Sequence, residues 1–202
     1  MLRSSLFASA ALFALSPSAA PAAFLNYNEV SNGDLSSNPL VPTLLSVEVG
    51  SNFIEGSVDY RDRDYFTLTL PVGAHLTAII LRASSGSEAT FLSFQSGSTF
   101  TELPGGADLR NLLGYASFFH SDIGTDLLQT LGSASDAIGF KDSPAGEMFT
   151  FWVDQSNPGG ANYKFEFIIA SDIPTPGTFA ILAAAVAIAL PRNRRATPKP
   201  LP

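Results

Sequence analysis

The stretch DYFTLTL at 64–70 alternates with a period of two: Phe66, Leu68 and Leu70 face one way, Tyr65, Thr67 and Thr69 the other. Burying every second side chain requires an extended strand lying on a sheet, so this stretch commits the middle of the chain to β-structure. Pro71-Val72-Gly73 supplies the turn that ends it. Other short apolar runs bounded by turn residues follow the same logic at 45–49, 53–58, 76–81 and 91–94, with Gly50-Ser51-Asn52 separating the first two. The runs at 148–153 and 163–169 predict a hairpin around Asn157-Pro158-Gly159-Gly160. In it Phe149, Phe151 and Val153 share one face, and Tyr163, Phe165, Phe167 and Ile169 the matching face of the partner. A short helix is expected around 125–131. Seven or so short strands with turns between them predict an all-β domain over 44–171, a two-sheet antiparallel sandwich, preceded by a polar lead-in segment at 23–43.

No cysteine is present, so no disulfide holds this domain and no thiol chemistry is open to it. Charge is unevenly placed. All 18 acidic residues lie between Glu29 and Asp172, with only six basic ones, a net of −12 for that region against −7 for the whole chain. Such a body repels nucleic-acid phosphates, and no Lys/Arg run offers them a groove. Cations and neutral polymers are better matched to it, although acidity of this kind also serves solubility alone.

The two ends read differently from the middle. Arg3, the uncharged run LFASAALFAL at 6–15 and the small-residue stretch SPSAAPAA predict a secretory signal peptide over 1–22, cut by signal peptidase after Ala22. At the other end, FAILAAAVAIAL at 179–190 is apolar throughout and is followed at once by Arg192, Arg194 and Arg195. It is short for a membrane span, and the arginines would hold its end on the cytoplasmic side. A domain between two such segments is expected outside the cytoplasm.

Pro174-Thr175-Pro176-Gly177, the apolar helix and the Arg cluster together resemble the PEP-CTERM sorting signal, recognised and removed in that family by the envelope protease exosortase. Thr175 stands where that family usually has Glu, and a basic, Pro-rich tail at 196–202 extends past the arginines. The resemblance implies a sorting segment over 172–195 that holds the chain in the membrane until processed. It also implies residence in or near exopolysaccharide.

DRDYFTLTLPVG at 62–73, with the Gly-rich closing segment at 157–169, resembles the bacterial pre-peptidase C-terminal domain. That resemblance implies a jelly-roll-like sandwich. Some members bind calcium through a polar lead-in segment and an Asp-x-Asp pair, and the matching positions here are Glu29, Asn32, Asp34, Asp62 and Asp64. Calcium takes six to eight oxygen ligands, so carboxylates from two segments can share one ion and tie the lead-in to the sandwich. The same acids also suit solvated turns.

Catalytic signatures are missing. The two histidines, His75 and His120, lie in no G-x-S-x-G or H-E-x-x-H context, and no spacing among the acids singles out a pair. Alternation leaves Trp152 on the face opposite Phe149 and Phe151, a candidate platform for stacking on sugar rings. The expectation is an exported, non-catalytic cell-surface or matrix protein. The alternatives are a polysaccharide- or protein-binding module of the envelope and a hydrolase of matrix polymer.

Overall fold

A computed structural model describes residues 24–172 except 87, 145, 156 and 157. The expected signal peptide at 1–22 lies outside the described residues, as does the sorting segment from 173 onward with Pro174, Thr175, Pro176, Gly177, Arg192, Arg194 and Arg195. The described elements run β1 (Asn26–Asn28), α1 (Glu29–Asn32), β2 (Thr43–Ser46), β3 (Gly50–Val58), β4 (Asp64–Thr69) and β5 (Ala74–Ser84). There follow β6 (Thr90–Ser96), β7 (Gly114–Phe118), α2 (Leu128–Gly132), β8 (Met148–Asp154) and β9 (Ala161–Ser171). They form a four-stranded sheet in the order β1-β3-β9-β5 and a five-stranded sheet in the order β2-β4-β8-β6-β7.

The domain is mostly β, as the turn-rich alternation predicts, but its sheets are mixed rather than antiparallel. β1 runs parallel to β3, and β2 parallel to β4. The cause lies in the connectivity. Strands β1 to β4 alternate between the two sheets, so each parallel pair joins strands two apart in sequence. A parallel pair always needs such a crossover, and here the crossover is the other sheet.

The expected hairpin at 148–169 does not form. β8 pairs with β4 and β6 in one sheet, while β9 pairs with β3 and β5 in the other. The two strands therefore meet face to face across the core, with the Phe151 and Phe167 rings 5.2 Å apart. Facing was predicted correctly and pairing was not.

That core is aromatic. Phe66, Phe151 and Phe94 occupy one rank across β4, β8 and β6, their rings stacked at 5.2 and 5.1 Å, and Phe167 meets Phe66 and Phe151 edge-on from the opposite sheet. None of these four rings is exposed. Burying each contributes about 1.5–3 kcal/mol, in a chain that has no cysteine and so no disulfide.

Asn52 fixes the entry of the chain. It was expected in a turn, yet it lies inside β3 and is fully buried. Its Oδ1 accepts from the Leu25 and Glu48 amides, and its Nδ2 donates to the Glu48 and Gly50 carbonyls. One side chain thus binds the lead-in to the strand beside it, and β1 is set in register with β3. Among the described residues no helix is long and apolar enough to cross a membrane.

Candidate metal centre

The lead-in closes into one helical turn because its polar residues satisfy each other locally. Asn28 Oδ1 accepts from the Val30 amide at 2.9 Å, and Asn32 Oδ1 accepts from the Asn28 amide at 2.9 Å. Gly33 (φ 96°) reverses the chain, and its carbonyl accepts from the Tyr27 hydroxyl at 2.6 Å. The turn places Glu29 between its own segment and β3. Glu29 Oε1 accepts from the Leu35 amide at 3.1 Å and Oε2 from the Ser57 amide at 2.7 Å.

Asp64 opens β4 and is fully buried. Its Oδ2 accepts from the Tyr163 hydroxyl at 2.7 Å, while its Oδ1 has no hydrogen-bond partner among the described residues. Oxygens of Glu29, Asp34 and Asp64 lie within 4.8 Å of one another. Gly56 makes the gathering possible, since a Cβ there would stand 2.7 Å from the Tyr163 hydroxyl and 3.0 Å from Glu29 Cδ.

Burial makes a carboxylate charge costly, and neighbouring negative charges add to that cost. Burial pushes Asp64 up to about 8, with the Tyr163 hydrogen bond opposing the rise and the charges of Glu29, Asp62 and Asp34 adding to it. Burial also raises Glu29, against two amide hydrogen bonds, and raises Asp62, helped by Asp34 and Asp59. The Tyr163 hydroxyl is held well above its ordinary range, first by burial and then by Asp64, so it stays a donor.

Of the five residues matched to calcium ligands, Glu29, Asp34 and Asp64 come together. Asp62 stands close enough to raise Asp64. The Asn32 side chain accepts from the Asn28 amide in the local turn. Tyr163 and Gly56 were not anticipated, although the inward phase of Tyr163 was. The residues suit a hard cation: the donors are carboxylate oxygens, one buried oxygen is unpartnered, and a glycine keeps the space open.

Two cavities flank this cluster. One of about 310 Å³ reaches from Ser57, Asp59 and Asp62 to Gly159, Gly160 and Asn162. The other, about 250 Å³, lies against Glu29, Glu55 and Gly56 and shares Ser57 and Asn162 with the first.

Trp152 does lie on the outer face of its sheet, but it is only 5% exposed. The chain after β6 crosses over it: Phe100, itself fully buried, packs edge-on at 5.7 Å, and Tyr65 stacks at 6.0 Å. Covered in this way, Trp152 offers no stacking platform. His120 Nδ1 lies 2.6 Å from the Ser84 carbonyl oxygen and His75 lies 4.0 Å from Asp172, so the two histidines serve separate contacts. No known protein-family model matches the chain, and no similar sequence was found among curated proteins.

Proposed function

We propose that this chain is an exported, non-catalytic protein of the cell surface or extracellular matrix, built on a calcium-binding, jelly-roll-like sandwich. The unpartnered, fully buried Asp64 Oδ1 is the observation that carries the calcium reading. Glu29, Asp34 and Asp64, with Asp62 beside them, would hold the ion. When bound, calcium neutralises carboxylates that otherwise repel. The lead-in supplies Glu29 and Asp34, and the start of β4 supplies Asp64, so a shared ion joins the N-terminal arm to the domain without a disulfide.

Export rests on the ends of the sequence: the signal-peptide pattern at 1–22 and the PEP-CTERM-like order of Pro174-Thr175-Pro176-Gly177, apolar run and arginines. Exosortase and signal peptidase are the processing enzymes this implies, and exopolysaccharide the neighbouring polymer. Intact mass spectrometry of the protein recovered from the envelope or matrix of its own host tests this reading. The expected mass lacks residues 1–22, and the tail as well once sorting is complete. The untrimmed chain, recovered from the cytosol, would refute export.

A further inference from the structure

β1, β3 and β5 all begin at one pole of the four-stranded sheet, and β9 ends there. Gly50 at the start of β3 lies opposite Ile169, and Ala74 at the start of β5 lies opposite Ser171. Each segment leading into one of the three starting strands carries an exposed apolar side chain. These are Phe24 before β1, Val49 before β3 and Val72 before β5, exposed by 59%, 45% and 78%. The Phe24 ring lies over Gly50, where a Cβ would stand 2.6 Å from it, and so beside Val49. The Gly73 carbonyl accepts from the Ser171 hydroxyl at 3.4 Å, which sets the Val72 turn beside the exit of β9. Only β9 separates β3 from β5, a gap of about 10 Å between the two loops. Apolar side chains gathered at a surface in this way mark contact with lipid or protein.

Chain length favours lipid. The described residues end at Asp172, at this same pole, and the apolar run begins at 179, seven residue steps further on. Fully extended, that connection reaches about 25 Å. The 11 residues of β9 span about 37 Å from pole to pole. With the apolar run held in a bilayer, this pole is therefore the one kept close to the lipid. Asp64 opens β4 at the far pole, since β4 runs toward the Pro71-Val72-Gly73 turn.

Charge narrows the kind of lipid. Segments 24–25, 47–49 and 71–73 contain no Lys or Arg, while Glu48 lies among them and Asp172 at the exit. Anionic headgroups find no cation on these segments, whereas a surface without net charge accepts the apolar side chains with no like-charge repulsion.

We propose that this pole rests on the bilayer, with Phe24, Val49 and Val72 entering a surface of no net charge. The proposal rests on the membrane-sorting reading of the tail and adds which end of the domain meets the lipid. It leaves the Glu29, Asp34 and Asp64 cluster directed away from the membrane.

Because the chain has no cysteine, a single introduced one reports on a single position. Val72→Cys and Val49→Cys probe this pole, and Gly159→Cys, where a Cβ meets nothing within 4 Å, probes the other. Each is spin-labelled in the full chain and reconstituted into phosphatidylcholine vesicles. Collision with oxygen, which concentrates in lipid, is compared with collision with a water-soluble nickel chelate. The oxygen-to-nickel ratio should be severalfold higher at 72 and 49 than at 159, and no higher when phosphatidylglycerol is added. A chain that floats with the vesicles while 72 and 49 stay as wet as 159 would overturn this inference and leave the anchor standing. A chain that does not float would remove the anchor reading and this inference together. A raised ratio that requires phosphatidylglycerol, or equal shielding in lipid-free buffer, would also overturn it, the first assigning the contact to charge and the second to protein.

Discussion

The Tyr163 hydroxyl donates to Asp64 Oδ2 at 2.7 Å, linking β9 of one sheet to the first residue of β4 in the other across 99 positions of sequence. It is the one hydrogen bond the Asp64 carboxyl makes among the described residues, and it leaves the second oxygen without a partner. A buried carboxylate with one oxygen held and one free is a site waiting for a proton or a cation.

Removing the hydroxyl isolates that contact. Tyr163→Phe keeps the ring among its core neighbours and leaves Asp64 without a donor, so it should destabilise the calcium-free protein by about 1–3 kcal/mol. Urea denaturation in chelator, parent against variant, reads this directly. No change in midpoint would mean that the hydrogen bond contributes nothing net.

Stability should depend on pH in a direction set by Asp64. Its folded value, about 8, lies above the 3.8 expected when unfolded, so the native state binds the proton more tightly. The resulting stabilisation is complete below the unfolded value and is lost as pH rises through the folded one. Glu29 and Asp62 are raised as well and act in the same sense. In chelator, the urea midpoint should fall between about pH 5 and pH 9, and Asp64→Asn should flatten much of the fall. A rising midpoint over that range would contradict the assignment.

Gly56→Ala tests the space rather than the charges. Its Cβ would intrude between the Tyr163 hydroxyl and Glu29, forcing one of them to move. The expected cost is about 1–3 kcal/mol, together with a smaller stabilisation by calcium. Thermal melts with and without calcium separate the two effects.

Trp152 is the single tryptophan and reports on the covering segment. Phe100→Ala should uncover the indole, shifting its emission to longer wavelength while the aromatic core around Phe151 stays closed. Emission spectra and far-UV circular dichroism, taken together, check this. An unchanged emission maximum would show that Phe100 does not shield it.

Much of the fold was readable in the residues. The alternation at 64–70 became β4, and the inward sets of 148–153 and 163–169 face the core as their spacing requires. Alternation identifies a face but not a neighbour, which is why two strands in different sheets looked like a hairpin. β1 and α1 are too short and polar to announce themselves, and they exist because Asn28, Asn32 and Asn52 satisfy the backbone around them. Asp64 was legible as a candidate ligand, and its complete burial was not. The chain covering Trp152 carries no periodicity, so a residue that looked solvent-facing proved to be enclosed.

The most direct test of the calcium-held arm is the melting temperature of the full chain in chelator and in excess calcium, for the parent and for Asp64→Asn. Calcium at about 100 times its dissociation constant should stabilise the parent by about 2.7 kcal/mol and leave the variant essentially unmoved. Superimposable parent curves with and without calcium, or an equal rise in Asp64→Asn, would contradict the account.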